Sequence, residues 1–168
     1  MEALIIDIQA DLAEGELTVV ARGESALSMA TVRRSPQAEV QGHIPVGTRD
    51  PDHLTMLLDG SPVELSPGPG RYTRGSYRVV ARHAGVRYEL VPDDHSSSRL
   101  VRDGKEIGSF HRAKDGEVHA RWSPGVTVGP VDAAMGCALA ASFGTGARGF
   151  VGLILEGLFG GPSNASPV

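Results

Sequence analysis

Three arginines in the middle of the chain have the spacing of a candidate anion site. If Ala84-Gly85 forms a two-residue turn, Arg82 lies directly opposite Arg87 in a hairpin, with Arg78 further along the same face. Like charges that face each other destabilise a sheet unless a counter-charge lies between them. Glu89, diagonal to Arg82, is one candidate for that counter-charge, and a phosphate or lipid head group is the other. We therefore predict Arg78, Arg82 and Arg87 as candidate ligand-binding residues.

A histidine pair is a second place where chemistry is conceivable. A three-residue loop over 114–116, Lys-Asp-Gly, sets His111 opposite His119 in a later hairpin, at a separation suited to sharing a metal ion. A metal site needs more than two ligands, and the pattern offers no third. We interpret both side chains as exposed strand histidines and predict no metal site.

The stretch 93–98, Asp-Asp-His-Ser-Ser-Ser, contains every residue type of a hydrolase triad within one loop. Members of a triad come from separate elements that hold them rigidly, so neighbours in sequence have the wrong geometry. We interpret the stretch as a solvated turn. The sequence therefore predicts no catalytic residue and no enzyme.

Residues 144–149, Gly-Thr-Gly-Ala-Arg-Gly, match the G-x-G-x-x-G fingerprint of dinucleotide-binding folds. That motif needs a strand before it, a helix after it and, about 20 positions further on, an acidic residue for the ribose. Here an apolar helical run precedes the motif, so we predict no bound nucleotide and no cofactor. The aromatic residues are too few and too scattered among the arginines to favour nucleic-acid binding.

Length and composition favour one intracellular domain. With 168 residues, of which 40% are apolar, the chain is large enough for a single core, and we treat 1–168 as one domain. Its single cysteine, Cys137, lies in an apolar run, which excludes an internal disulfide. The first eight residues, Met-Glu-Ala-Leu-Ile-Ile-Asp-Ile, lack the basic start and long apolar core of a secretory signal. We therefore predict a cytoplasmic location.

The charges are distributed unevenly along the chain. Residues 1–70 carry 4 basic and 11 acidic groups, whereas residues 71–121 carry 11 basic and 7 acidic groups. One interpretation is a dipolar surface whose basic side meets an anionic partner. The alternative is that the two halves neutralise each other across the fold.

The most apolar part of the chain is 130–160. Pro130 and Asp132 suit the first turn of a helix, and the residues from 133 to 143 have no polar face. A helix of this kind is stable only when it is buried on all sides. We predict a buried helix over 130–143 and a second apolar helix over about 147–159.

A membrane span is the alternative interpretation of this region, because its length is sufficient to cross a bilayer. However, the uninterrupted apolar part is too short, Arg148 lies in the middle, and glycines divide the run. We therefore predict that the protein is not an integral membrane protein.

The chain before the helix alternates between apolar and polar residues in short segments. We predict about eleven or twelve strands between residues 3 and 128, including Leu4–Ile8, for which the first turns of a helix are the alternative. Another strand is predicted around 40–46. The segment 66–70, Ser-Pro-Gly-Pro-Gly, is predicted as a loop that holds no ladder. A turn at Asp103-Gly104 sets Leu100 against Ile107.

The order of these segments resembles a known superfamily. The resemblance is carried by Tyr77-Arg78-Val79-Val80, by Tyr88-Glu89-Leu90, by 102–110 (Arg-Asp-Gly-Lys-Glu-Ile-Gly-Ser-Phe) and by the terminal Ala-rich helix. This layout is similar to the tubby C-terminal-like superfamily, which includes phospholipid scramblases and LURP-one-related proteins. The resemblance implies a mainly β fold in which a closed antiparallel barrel of about twelve strands wraps around the C-terminal helix.

Three functional hypotheses follow. The first is a non-catalytic, tubby-like domain that binds a protein partner or an anionic ligand such as a phospholipid head group. The second is a structural or protein-interaction domain without a small ligand. The third is an enzyme of unknown type, which would need a pocket that holds several polar groups with perturbed pKa values.

Overall fold

Twelve β-strands and one α-helix form the regular structure of the described residues. The computed structural model describes residues 4–11, 13–42, 44–70, 74–94, 96–114, 117–143 and 152–156. The strands are β1 (Ile5–Asp11), β2 (Glu16–Arg22), β3 (Leu27–Arg34), β4 (Leu54–Leu58), β5 (Ser61–Pro62), β6 (Glu64–Pro67), β7 (Val79–His83), β8 (Val86–Pro92), β9 (Ser97–Arg102), β10 (Lys105–Arg112), β11 (Glu117–Trp122) and β12 (Gly152–Glu156). The helix, α1, is Pro130–Phe143, and two short 3-10 helices are Pro51–His53 and Arg74–Tyr77.

The strands form two sheets. The first has the order β1-β2-β3-β4-β5, and the second has the order β12-β11-β10-β9-β8-β7-β6. Neighbouring strands are antiparallel except β11 and β12, which run parallel. Neither sheet closes on itself in the described part of the chain. The mainly β class with a C-terminal helix is therefore confirmed, and the closed antiparallel barrel is wrong.

The corner between the sheets lies at Pro62 and Val63. β5 pairs with β4 through only two residues, and Pro62 has no N–H group with which to extend the ladder. Val63 is buried, and its N–H donates to the carbonyl oxygen of Met56 over 2.9 Å. The next residue, Glu64, already belongs to the second sheet. A barrel requires hydrogen bonding around the whole ring, but among the described strands β5 is not paired with β6 and β1 is not paired with β12.

The helix α1 is buried from Asp132 to Phe143, which confirms the predicted buried helix over 130–143. It packs against β2 and β3 of the first sheet and against β8 of the second. Small residues permit a close approach of the strands. A Cβ atom added to Gly136 would lie 2.5 Å from Cδ2 of Leu100 and 3.2 Å from Cζ of Phe110. The helix therefore fills the space between the sheets.

The region after α1 differs from the prediction. Where the sequence predicts a second apolar helix over 147–159, the structure has the strand β12, which pairs with β11. The other residues of that range, and the glycine-rich segment 144–149, lie outside the described residues. Within the described part of the chain, no helix has the length and apolarity needed to cross a bilayer.

The hairpin predictions are partly confirmed. β1 is a strand as predicted, and eleven described strands precede α1. Leu100, however, pairs with Gly108, because a bulge between Glu106 and Gly108 takes Ile107 out of register. The described residues of 40–46 form no strand. The segment 66–70 is not wholly a loop, since β6 reaches Pro67 and pairs with β7.

A buried carboxylate connects the start of α1 to the second sheet. The Tyr88 hydroxyl donates to Oδ1 of Asp132 over 2.6 Å, and Nη1 of Arg102 lies 2.7 Å from Oδ2. The Gly129 N–H also donates to Oδ2, over 3.2 Å. Burial, followed by the hydrogen bond to Asp132, raises the pKa of Tyr88 above its usual range. The side chain of Tyr88 therefore stays a neutral donor to Asp132, which lies in the first turn of α1.

We predict that Gly136→Ala destabilises the protein although alanine is the better helix former. Alanine gains about 1 kcal/mol of helix propensity over glycine, but its Cβ would overlap the buried side chains of Leu100 and Phe110. Overpacking of this kind costs about 1 to 3 kcal/mol. Urea unfolding should therefore show a net loss. Gly75→Ala is the control, because its Cβ would meet nothing within 4 Å. Equal or higher stability of Gly136→Ala would contradict the packing described here.

Tyr88→Phe tests the connection between α1 and the second sheet. It removes the hydroxyl that donates to Asp132, and a hydrogen bond to a charged group contributes about 1.5 to 3 kcal/mol. We expect a loss of that size in the unfolding free energy. Tyr77→Phe is the matched control, because the Tyr77 hydroxyl makes no hydrogen bond with any residue that the structure describes. If the two variants lose the same stability, the buried network is not stabilising.

Candidate functional site

The β7–β8 hairpin places the predicted arginines on one face. Its turn is Ala84-Gly85, with φ angles of 52° and 79°. Positive φ at both positions is typical of a type I′ hairpin turn. Arg82 therefore pairs directly with Arg87, as the sequence predicts. The two side chains are 51% and 45% exposed.

Glu89 provides a shared counter-charge for two of the three arginines. Its Oε2 lies 2.9 Å from Nε of Arg78, and its Oε1 lies 3.3 Å from Nη1 of Arg87. The Glu89 side chain is only 11% exposed, so it is held between the two cations. The sequence predicts this carboxylate as a partner for Arg82. In the structure, Glu89 instead pairs with Arg78 and Arg87.

Arg82 has a different and weaker partner. Glu64 belongs to β6, the edge strand next to β7, and its Oε2 lies 3.7 Å from Nη1 of Arg82. Both side chains are more than half exposed, so the pair contributes little stability. Arg82 is therefore the arginine of this face that is most available to another anion.

A groove lies at the end of this hairpin. It has a volume of ≈ 580 Å³, and its lining includes Arg82, His83, Arg87 and Glu64. Within the lining, Arg82 and Arg87 supply two positive charges against the negative charge of Glu64. Asp103 lies beside the lining, where its Oδ1 accepts the Arg87 N–H over 2.9 Å. Guanidinium groups match the geometry of phosphate and carboxylate oxygens, so the groove has the chemistry to hold a small anionic group.

The two histidines face each other as the sequence predicts, but only His111 is exposed, since His119 is half-buried. His111 pairs with His119 across β10 and β11, and Nδ1 of His111 lies 3.0 Å from Oγ of Ser97 on the other side. No cluster of three or more His, Cys, Asp or Glu side chains able to hold a metal ion occurs among the described residues. The structure therefore places Ser97 beside His111, and it shows no third metal ligand among the described residues.

The acidic residues of the predicted solvated turn bond to their own surroundings. Oδ1 of Asp93 accepts a hydrogen bond from Nε of Arg99 over 2.7 Å. Oδ1 of Asp94 accepts the Ser96 N–H over 2.8 Å, and this bond holds the pKa of Asp94 below its usual value. His95 lies outside the described residues. Neither described carboxylate is placed to orient His111 as the acid of a triad would.

Two arginines that the structure buries are not identified by the sequence analysis. Arg34 donates to the carbonyl oxygens of Val46 and Ala13 over 2.8 and 3.1 Å. Arg49 is 8% exposed, and burial lowers its pKa to about 10. Nothing in the local pattern around Arg49 indicates burial. Arg34 has only the alternation of β3 as a signal, which puts it on the same face as Ala30 and Val32.

Comparison with known proteins gives no relative for this chain. No family model matches it, and no curated protein or solved structure matches it either.

We predict that Glu89→Gln makes the arginine face more responsive to anions. The change removes the charge shared by Arg78 and Arg87, which should cost roughly 1 to 2 kcal/mol of stability in a buffer without polyvalent anions. Added phosphate should then raise the melting temperature of the variant more than that of the wild type, because a ligand stabilises the state that binds it.

Glu64→Gln is the matched control for Glu89→Gln, since it removes an exposed carboxylate 3.7 Å from Arg82. Its stability should change little, and its response to phosphate should lie between those of the other two proteins. Equal phosphate responses in all three proteins would show that the arginine face does not bind the anion.

Proposed function

We propose that this protein is a non-catalytic, β-rich domain that binds an anionic group in the groove at the end of the β7–β8 hairpin. A phosphate-bearing head group of a phospholipid is the ligand we favour. The observation that supports the proposal is the direct pairing of Arg82 with Arg87 across the hairpin, at the lining of the groove. Such a pair gains stability when an anion lies between its members.

The charges around the groove also favour an anionic ligand. Of the carboxylates that pair with the arginine side chains, Glu89 is nearly buried, whereas Glu64 is exposed and only loosely paired. A phosphate that approaches Arg82 therefore competes with a weak partner. His83 lies in the same lining and becomes a further cation when it is protonated. Binding should consequently be sensitive to salt, since exposed charges are screened.

The proposal keeps the kinship with the tubby C-terminal-like superfamily but not the closed barrel. What supports the kinship is the layout, an apolar C-terminal helix shielded by the strands that precede it. The non-catalytic part of the proposal is supported by the carboxylates of the loop before β9, since Asp93 and Asp94 are engaged by Arg99 and Ser96. We place the domain in the cytoplasm, where its buried Cys137 stays reduced.

Liposome flotation tests this function. The protein should float with vesicles that contain phosphatidylserine or a phosphoinositide, and it should stay in the aqueous fraction with vesicles of phosphatidylcholine alone. High salt should release it. The double variant Arg82→Gln and Arg87→Gln should lose most of the association. Free inorganic phosphate is a separate arm, and stabilisation by phosphate without flotation would identify a soluble phosphate compound as the ligand.

The control for flotation is the double variant Arg22→Gln and Arg33→Gln. These residues lie on the first sheet, are similarly exposed and also pair with carboxylates, at 3.8 and 3.1 Å. The two double variants therefore carry the same net charge. Equal loss of vesicle association in both double variants would show that the effect comes from net charge alone. It would contradict a specific site at the hairpin. No salt-sensitive association with lipid or phosphate would favour the interaction-domain alternative, for which exposed Ile5, Leu27 and Met29 offer an apolar surface.

A further inference from the structure

A second cleft lies away from the hairpin groove. It has a volume of ≈ 750 Å³ and is formed by residues between 37 and 53 together with 67–70. Its lining is mainly polar and includes Arg49, Glu39, Thr48 and His53. The cleft therefore combines charges of both signs in one concave surface.

Arg49 is a cation without a carboxylate partner in the described part of the chain. Its Nε donates to the carbonyl oxygen of Gly68 over 2.8 Å, and its Nη2 donates to that of Tyr77 over 2.7 Å. The guanidinium carbon also lies 5.4 Å from the ring centres of Tyr77 and Phe143. These contacts fix the group and remove most of its hydration, which accounts for its lowered pKa. A fixed and poorly hydrated cation gains more from an anion than a mobile surface arginine does.

The Arg49 guanidinium has one donor group that the described residues leave unused. Nη1 makes no hydrogen bond to any residue that the structure describes. Arg49 also lines the cleft, so Nη1 is the donor that an anion in the cleft would use. Arg34, which is equally buried, differs in this respect. It uses both Nη1 and Nη2 on backbone carbonyls and does not line the cleft.

The acidic residues of the lining decide which anion fits. Glu39 is exposed and forms no ion pair with a described residue, and Asp50 adds a second negative charge. Asp50 Oδ1 is already used by the Asp52 N–H, whereas Glu39 is free to accept a ligand cation. A phosphate dianion would be repelled by both carboxylates. A molecule that carries a carboxylate and an ammonium group would satisfy Arg49 and Glu39 together.

We propose that this cleft binds a free α-amino acid, with its carboxylate on Arg49 and its ammonium group on Glu39. Thr48 and the polar remainder of the lining favour an amino acid with a polar side chain. The site is separate from the hairpin groove, and neither proposal depends on the other.

Thermal denaturation in the presence of millimolar concentrations of each common L-amino acid, followed by calorimetric titration, tests the proposal. At least one polar amino acid should raise the melting temperature and bind measurably. In the double variant Arg82→Gln and Arg87→Gln, acetate and methylammonium, which each carry only one of the two charges, should have no effect. Arg49→Lys and Glu39→Gln should each weaken amino-acid binding at least about tenfold, because the first loses the guanidinium geometry that matches a carboxylate and the second loses the negative charge that pairs with the ammonium group.

The controls separate this site from the rest of the molecule. Arg34→Lys changes an equally buried, carbonyl-bound arginine and should leave the affinity unchanged, as should the double variant Arg82→Gln and Arg87→Gln. Glu39 is exposed, so Glu39→Gln keeps the fold even if Arg49→Lys does not. Failure of every amino acid to bind would overturn the proposal. So would stabilisation of the double variant Arg82→Gln and Arg87→Gln, which lacks the hairpin site, by phosphate or acetate alone, or an unchanged affinity in Glu39→Gln.

Discussion

The burial of a helix that has no polar face is the constraint on which the rest of this structure depends. All residues of α1 from Asp132 to Phe143 are buried, so no side of the helix is left for solvent. One sheet covers only one side of a helix, and the second side needs another layer. The two sheets therefore face each other across α1. Its alanines and Gly136 set how closely they approach.

Burying α1 from Asp132 to Phe143 also buries polar groups near both ends of the helix, and these groups need hydrogen-bond partners. Near the N-terminal end, the Asp132 side chain accepts hydrogen bonds from Tyr88, Arg102 and Gly129. Near the C-terminal end, the Ser142 carbonyl oxygen accepts the Val46 N–H over 2.9 Å. The last turn of α1 contains no basic residue, but the guanidinium of Arg49, from a distant loop, lies over the ring of Phe143.

Much of the local structure could be predicted because short-range rules determine it. Ala84-Gly85 fixes the register of its hairpin, and the apolar run fixes the burial of α1. The failures have other causes. The bulge between Glu106 and Gly108 adds one residue to β10 relative to β9. The alternation of apolar and polar residues before the bulge does not reveal it. The run 152–156, Gly-Leu-Ile-Leu-Glu, is too short for periodicity to separate strand from helix, and only its pairing with β11 decides.

The prediction of closure failed for a longer-range reason. The resemblance implied a single ring, but a ring depends on which strands pair, and in the described part of the chain neither β5 and β6 nor β1 and β12 are paired. The order of strands along the chain contains no information about such pairings. The fold class could therefore be predicted from periodicity, whereas the topology required the pairings.

The arginines show the same division between local and distant information. The pairing of Arg82 with Arg87 follows from one turn and was predictable. The carboxylate partners of these arginines were only partly predictable, since Glu64 comes from β6 and no turn motif sets the register of β6 with β7. Arg34 and Arg49 bind carbonyl groups of segments distant in sequence, so no spacing rule reveals them. Whether an arginine is available to a ligand thus depends on what already occupies its donors. Carbonyls fill both Nη groups of Arg34, whereas they leave Nη1 of Arg49 open, and exposed Glu64 is a partner that an incoming anion can displace from Arg82.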